Sequence, residues 1–447
     1  MNKKISYMAL AGLLMASCAT EEAPFGAVPT PEQIEWQDME LNMFCHFGPN
    51  TFTGLEWGEG TEAEDLFNPT DLDCRQWART AKAAGFKGII ITGKHHDGFC
   101  LWPNPVSKHT VRESSWRGGK GDVLKELSEA CAQEGLKFGI YISPWDRHDP
   151  TYGTDAYNEV FRQTLESALS GYGPVFEQWF DGACGEGPNG KRQVYDWELF
   201  HNEVFKWQPH AIVFSNVGPG CRWVGNENGH AGRTSWSTFS PAKNSASHEQ
   251  LPGDYETYLN QGDPDGEAWI PSETDVSIRP GWFWKESENS QVKSLKDLLG
   301  IYYKSVGRNS LLLLNVPPDT RGHIHEVDSI RLMEFREALD QIFADNLALG
   351  QSREGNTWTV KVQADKPFNR VVLQEDIAKG QRISGFTVEV QTADGWAPLA
   401  QETTVGRKRI LLVPATRCET LRVRVTDALA KPLLKDIGLY YDAIYSE

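Results

Sequence analysis

From about residue 35 to 340 the chain repeats one unit: a helical pattern, a glycine, then an apolar run. Asp73–Ala84 stops at Gly85 and leads into Lys87–Thr92; Asp122–Glu134 stops at Gly135 and leads into Lys137–Ile142. Glycine just past a helix supplies the left-handed cap. A short run that is apolar throughout, without polar alternation, suits a strand covered on both faces. Further runs at Leu41–His46, Val175–Phe180, Ala211–Ser215, Ala268–Ser272 and Ser310–Asn315 bring the strand count to seven. Helical patterns at Asn158–Ser170, Trp197–Trp207, Ser294–Val306 and Glu326–Phe343 complete the alternation. Repeated helix–glycine–strand units predict parallel βα architecture. Their number and span favour a closed barrel over an open doubly wound sheet. No glycine-rich phosphate-binding motif follows the first strand, which argues against a nucleotide fold.

After residue 346 the texture changes. Short strands with turn signals replace helices: Thr357–Gln363, Arg370–Gln374, Ser384–Gln391, Lys408–Val413, Thr420–Val425 and the closing Gly438–Tyr441. The expected fold is therefore α/β, a (β/α)8-type barrel over residues 31–345 followed by a C-terminal all-β sandwich over 346–447.

The start of the chain reads as an address. Lys3 and Lys4 precede an apolar stretch, Ile5–Met15, and then Ala16-Ser17-Cys18. The stretch is too short to span a bilayer as a mature helix. Small residues directly before a cysteine resemble a bacterial lipobox, which makes residues 1–18 a lipoprotein-type signal, Cys18 the lipidated residue and residues 19–30 a tether. The expectation is an exported protein, periplasmic or anchored to an outer membrane, that meets the membrane only through that lipid. A plain secretory signal is the other reading. The remaining seven cysteines show no CxxC and no metal-ligand spacing, so buried thiols are expected and no metal is. A net charge of -17 disfavours nucleic acid as a partner.

In a barrel of this class, chemistry collects at the C-terminal ends of the strands. Polar and aromatic residues gather there: Cys45-His46-Phe47-Gly48, Lys94-His95-His96-Asp97, Tyr141 with Ser143-Pro144-Trp145, Trp179-Phe180-Asp181-Gly182, then Arg222-Trp223 and Gly225-Asn226-Glu227, and finally Glu273. Each alone has an ordinary structural reading, such as a satisfied buried histidine or a helix-capping aspartate. At five or six consecutive strand ends, chance explains them poorly. Trp179 and Asp181 are two apart and share a strand face, pairing a flat apolar wall with a carboxylate. Sugar-cleaving sites use that pairing. Hydrolysis of a glycoside needs two carboxyl groups. Asp181 suits the nucleophile, while Glu227, Glu273, Glu56 and Asp97 all remain open for the acid/base.

The motifs HFG at 46–48, EW at 56–57, KHHDGFCLW at 94–102, GIYIS at 139–143 and WFDG at 179–182 together resemble the α-L-fucosidases of glycoside hydrolase family 29. The resemblance implies a retaining exo-hydrolase that removes terminal α-L-fucose through a covalent intermediate, without a metal or organic cofactor. It places the nucleophile on Asp181 and the sugar pocket on His46, Glu56, Trp57, His95, His96, Tyr141, Trp179, Arg222 and Trp282. RWVGNENG at 222–229 resembles the subfamily selective for α-1,3/1,4-linked fucose on branched, Lewis-type glycans, which makes Glu227 the acid/base and Glu273 a supporting carboxylate. Trp223, Trp282, Phe283 and Trp284 are expected to shape the subsite for the branch. The implied partner is a fucosylated oligosaccharide or glycoprotein glycan. The competing readings are a broad-specificity fucosidase, a retaining glycosidase for another sugar, and a non-catalytic glycan-binding lipoprotein. The sandwich reads as a structural domain rather than a carbohydrate-binding module, because no cluster of exposed aromatics stands out in it.

Overall fold

Each barrel unit is built by local signals that can be traced in the computed structural model, which describes residues 22–241 and 255–446. In the helix Val123–Glu134 the Asp122 side chain caps the N-terminus by accepting from Lys125 N, and Gly135 closes the other end at φ 73°. A side chain there would strain the left-handed turn, so the glycine is required. The helix buries Val123, Leu124, Leu127, Ala130 and Cys131 against the sheet.

Eight parallel strands close into one barrel: β1 (Leu41–Cys45), β2 (Gly88–Lys94), β3 (Lys137–Ile142), β4 (Glu177–Trp179), β5 (Ile212–Ser215), β6 (Cys221–Trp223), β7 (Ser272–Ser277) and β8 (Leu311–Asn315). Each pairs with its sequence neighbours, and β8 closes onto β1 through Leu41–Leu312 to Phe44–Asn315. Outward residues such as Met43, Cys45, Ile89, Ile91, Ile140 and Val213 pack under the helices. Inward residues including Phe44, Ile90, Tyr141, Trp179, Phe214 and Leu313 fill the interior together with Trp36 and Met39.

Two strands differ from the sequence reading. The run at Ala268–Ser272 is not a barrel strand: Ala268–Trp269 pairs antiparallel with Thr238–Phe239 outside the barrel, and the barrel strand starts at Ser272. That strand, SETDVS, is polar yet buried at every position, so a search for apolar runs passes over it. The missing eighth strand is β6, only three residues long, in a segment expected to be a loop.

Behind the barrel stand β9 (Ala348–Glu354), β10 (Thr357–Val362), β11 (Phe368–Glu375), β12 (Ile383–Thr392), β13 (Gly395–Glu402), β14 (Arg409–Thr416), β15 (Thr420–Ala428) and β16 (Leu434–Tyr440). They form a five-stranded sheet ordered β9-β10-β15-β12-β13 and a three-stranded sheet ordered β14-β11-β16. Between the sheets lie Trp358, Val360, Phe386, Leu373, Leu411 and Leu439. Polar contacts lock sandwich to barrel: Asp442 accepts from Tyr303 Oη at 2.6 Å and Arg370 Nη2 at 2.9 Å. Gln381 bridges Ser235 and Ser237 of the barrel loops.

Residues 1–18, read above as a signal ending at Cys18, lie outside the described residues. The segment read as a tether is held where it is described: Phe25 N donates to Lys379 O at 3.0 Å and Arg382 Nη2 to Ala23 O at 2.6 Å. Thr30 then caps the helix Pro31–Met39 in a capping box with Gln33. Among the described residues no helix is long and apolar enough to cross a membrane.

Candidate active site

A pocket of about 210 Å³ opens at the C-terminal end of the barrel. Its lining includes His46, Glu56, Trp57, His95, His96, Tyr141, Trp179, Asp181, Trp223, Glu227 and Trp282. Residues far apart in sequence thus converge because each lies at the C-terminal end of a strand or in the segment that follows it. A larger groove, about 700 Å³, lies at the opposite end of the barrel. Four of its rim groups are paired, Glu32 with His210 and Glu35 with Lys137, and it lacks the convergence of carboxyls with imidazoles on a closed floor.

Asp181 lies two residues past the end of β4 and is partly exposed into the pocket. Its Oδ2 accepts from Tyr141 Oη at 3.0 Å, its Oδ1 accepts from Ala183 N at 2.7 Å, and His96 Nε2 stands 3.8 Å from Oδ2. Gly182 permits this turn: a Cβ there would come within 2.2 Å of the Asn216 amide. One aspartate oxygen is thus held by backbone and the other by a phenol, which fixes the carboxylate's direction.

The three histidines line one side of the pocket, His46 edge-on to His95 with centroids 5.8 Å apart and His95 tilted against His96 at 4.1 Å. His46 Nδ1 is paired with Asn315 Oδ1 at 2.9 Å, and His96 Nδ1 with Ser143 Oγ at 2.7 Å. Burial drives His46 down to about 3 and His96 to about 4, and burial with neighbouring cations and imidazoles drives His95 well down. All three are neutral near pH 7, so they offer the pocket hydrogen bonds rather than charge.

Trp179 forms the floor. Its ring stacks on Phe214 at 3.9 Å and 6° and on Tyr141 at 5.3 Å and 25°. Its Nε1 donates to Glu273 Oε1 at 2.8 Å, beneath the floor. Glu273 is wholly buried there with Glu177 and Cys221, their ligand-type atoms within 4.8 Å of one another. Such a trio could hold a cation in principle, yet two indole N–H groups aim at its carboxyls: Trp179 at Glu273, and Trp36 at Glu177 at 2.7 Å. The indoles already occupy carboxylate oxygens, and burial of two carboxyls side by side outweighs their pull and favours a pair that shares a proton. Burial raises Glu177 to about 7, and burial with Glu177 alongside raises Glu273 further.

Glu227 follows β6 at the pocket mouth, where its carboxyl accepts from Trp282 Nε1 at 3.3 Å. The residue as a whole is solvent-exposed, but its carboxyl is crowded: desolvation, then Asp181 and Glu56, raise it above the usual carboxylate range against the pull of Trp282. Glu56 accepts from Trp282 N at 2.8 Å and pairs with Lys285 Nζ, so it braces the loop that carries Trp282. Trp57, 57% exposed, stands edge-on to His96 and Trp145 at the rim.

Three expectations need revision. Arg222 does not enter the pocket. It lies on β6, where adjacent residues face opposite ways, so Cys221 and Trp223 point inward and Arg222 outward. It is fully buried, donating to Leu259 O at 2.8 Å, Trp236 O at 2.9 Å and Ile270 O, with its guanidinium over Phe239. Burial lowers its pKa to about 10. Phe283 packs edge-on behind His46 and His95, and Trp284 turns away to stack on His325, so of the four subsite aromatics only Trp223 and Trp282 line the pocket. Asp97 and Glu273, both open as acid/base candidates, do not line it either. Asp97 is buried, holds Phe99 N at 2.7 Å and is pushed up to about 7 by that burial. Conversely Phe44, Phe214, Asn216 and Asp275 line the pocket without having been singled out. Asp275 was findable once SETDVS is read as a strand, because it shares a face with Glu273.

A barrel glycosidase site is the class this geometry defines: one carboxylate held at a strand end, a second carboxyl kept toward its acid form at the mouth, and a floor of tryptophan and neutral histidines. The α-L-fucosidase family model matches residues 24–341. α-L-Fucosidase 1 of Arabidopsis thaliana is 41% identical over 94% of this chain and 88% of its own. A glycoside hydrolase 29 family member from an unknown rumen bacterium superposes with a TM-score of 0.88 at 40% identity, over 95% of this chain and 79% of the other. A Ruminococcus gnavus family 29 fucosidase in complex with fucose gives 0.85 at 30% identity, over 94% and 97%. The chain belongs to the α-L-fucosidase family, glycoside hydrolase family 29, and is a glycoside hydrolase.

Two outcomes test the site's physics. Arg222→Met leaves three buried carbonyls without their donor, so it should lower unfolding free energy by roughly 3 kcal/mol, read by denaturant unfolding, while KM of the folded fraction stays near wild type. A raised KM with intact stability would put Arg222 back in the pocket. For His46, the folded pKa lies below the ordinary 6.5. The unfolded chain therefore gains a proton below about pH 6.5 that the folded one refuses, and stability falls as pH drops from there. The buried carboxyls slope the other way, so the comparison is with His46→Gln: wild type should lose up to about 1.4 kcal/mol more per pH unit between pH 6 and 4. Parallel slopes would mean that His46 is not held neutral.

Proposed function

We propose that the enzyme is a retaining, exo-acting α-L-fucosidase with Asp181 as nucleophile and Glu227 as acid/base, selective for α-1,3/1,4-linked fucose on branched glycans. The observation that carries the roles is the pairing of Asp181, held by Tyr141 and Ala183 N, with Glu227, whose carboxyl is raised by crowding in the same pocket. A nucleophile must attack ionised along one direction, and a general acid must hold its proton near neutral pH. Asp181 attacks the anomeric carbon while Glu227 protonates the departing oxygen. Glu227 then takes a proton from water as that water attacks the glycosyl–Asp181 ester, which returns the sugar with its original configuration.

The walls suit a 6-deoxy sugar. Neutral imidazoles and the Tyr141 phenol offer hydrogen bonds to hydroxyls, and Trp179, Phe44 and Phe214 offer apolar surface where a methyl group can lie. The closed floor admits a terminal residue. The Ruminococcus gnavus relative named above holds fucose, which supports the same sugar here. Branch selectivity rests on the GNE motif at 225–227 and on Trp223 and Trp282 beside Glu227. Export with a lipid on Cys18 rests on the lipobox-like sequence. In that setting the substrate is a fucosylated oligosaccharide or glycoprotein glycan outside the cytoplasm.

Asp181→Ala should lower kcat on the order of 10⁴-fold with folding intact; a wild-type rate would remove it from the role. Glu227→Ala should slow a Lewis-type trisaccharide about 10²- to 10⁴-fold and an activated aryl α-L-fucoside far less, because only the poor leaving group needs protonation. Equal losses on both substrates would move the acid/base elsewhere. Wild-type enzyme should release fucose mainly from the branched trisaccharide and little from an α-1,2-fucosylated lactose; comparable release from both would identify the broad-specificity type. Cells fed labelled palmitate should tag the wild-type chain and not Cys18→Ala, and an untagged wild type would return the plain secretory signal.

A further inference from the structure

Asp275 is a fourth carboxyl group in the pocket, beside Asp181, Glu227 and the Lys285-paired Glu56, and the two-carboxylate mechanism does not use it. It lies on β7, 3% exposed, two residues beyond Glu273 and on the same inward face. Its Oδ1 accepts from Trp223 Nε1 at 2.9 Å. The groups facing it are all acidic: Glu227 from the loop after β6, Asp181 from the end of β4 and Glu273 on its own strand. Its register partner on β8 is Leu313. None of the described residues lining the pocket is Lys or Arg, and the three histidines are neutral. With the nucleophile ionised, a second anion here would be buried without a counter-charge, which is costly.

We propose that Asp275 is a neutral carboxylic acid in the substrate site, one oxygen holding Trp223 in place and its O–H donating a hydrogen bond to a hydroxyl of the bound sugar. This rests on the fucosidase reading above. Burial first, then Glu227 and Asp181, raises its pKa well above the ordinary aspartate value, in agreement with the geometry. A carboxylic acid offers a donor and an acceptor together, which matches an indole N–H on one side and a sugar hydroxyl on the other. Trp223 is four residues before Glu227, at the mouth where the leaving sugar must pass. Asp275 therefore contributes twice: directly to the bound sugar, and through Trp223 to the wall beside the leaving group.

The test uses full-length enzyme with Asp275→Ala, Asp275→Asn and Trp223→Phe. Asp275→Ala should lower kcat/KM at least tenfold, chiefly through KM, and more on the branched trisaccharide than on an aryl α-L-fucoside. Asp275→Asn should recover most of that loss, since an amide also pairs a donor with an acceptor, and it should leave both limbs of the pH–rate profile in place. Trp223→Phe should reproduce the trisaccharide part of the loss only. An Asp275→Asn variant as damaged as Asp275→Ala, or one with a shifted limb, would show that Asp275 ionises or carries a proton and would overturn the proposal. So would an Asp275→Ala variant with wild-type KM on both substrates. A second readout needs no substrate: enzyme carrying ¹³C-carboxyl aspartate at pH 7 should show a protonated-carboxyl signal that Asp275→Asn removes, and its absence would refute the neutral acid. A wild-type enzyme that releases no fucose, with that signal present, would instead sink the fucosidase reading and leave the neutral acid standing.

Discussion

The hydrogen bond from Trp179 Nε1 to Glu273, 2.8 Å long and shut inside the barrel, ties the sugar-facing floor to the interior of the fold. Without it the tryptophan would keep its stacking on Phe214 but lose what fixes its rotation. Glu273 can be there only because the interior is partly polar: Glu177 and Cys221 lie beside it, and Trp36, from the helix that plugs the barrel's base, donates to Glu177. A column of indoles and carboxyls thus runs from the plug to the floor of the pocket. Breaking it at any level leaves a buried carboxyl or indole without a partner, which costs about 1–3 kcal/mol per group. The short helix Pro31–Met39, far from the chemistry, is in this sense part of the site.

Above the floor the site separates charge from hydrogen bonding. Burial removes charge from His46, His95 and His96 and pushes Glu227 and Asp275 toward their acid forms. On the proposed roles, surroundings biased against charge leave the developing positive charge of an oxocarbenium-like transition state one strong partner, Asp181. Glu56 at the rim is neutralised by Lys285 and braces Trp282, which in turn reaches Glu227. The mouth is therefore built from mutually supporting side chains rather than from independent contacts.

Much of this was legible in the chain. Helix–glycine–strand repetition gave the barrel, and WFDG placed Asp181 at a strand end because a carboxylate two residues after an inward tryptophan must share its face. What failed did so for physical reasons. β7 reads SETDVS, polar at five of its six positions, because it lines a polar interior; apolar runs mark strands only where both faces meet hydrocarbon. β6 is three residues long, too short for any periodicity, and so Arg222 passed for a loop residue free to turn into the pocket. Phe283 and Trp284 follow Trp282 directly, but successive residues diverge in direction and only the first reaches the cavity. Asp275 escaped notice with the strand that carries it.

The most direct test of the account is to trap the intermediate. A 2-deoxy-2-fluoro-α-L-fucosyl donor with a good leaving group slows hydrolysis of the glycosyl-enzyme enough to digest the protein and map the added mass. One added sugar on the peptide that contains Asp181, with none on peptides carrying Glu227, Glu273 or Asp275, is the expected result. Label on another carboxyl, or turnover with inversion and no labelled peptide, would contradict it.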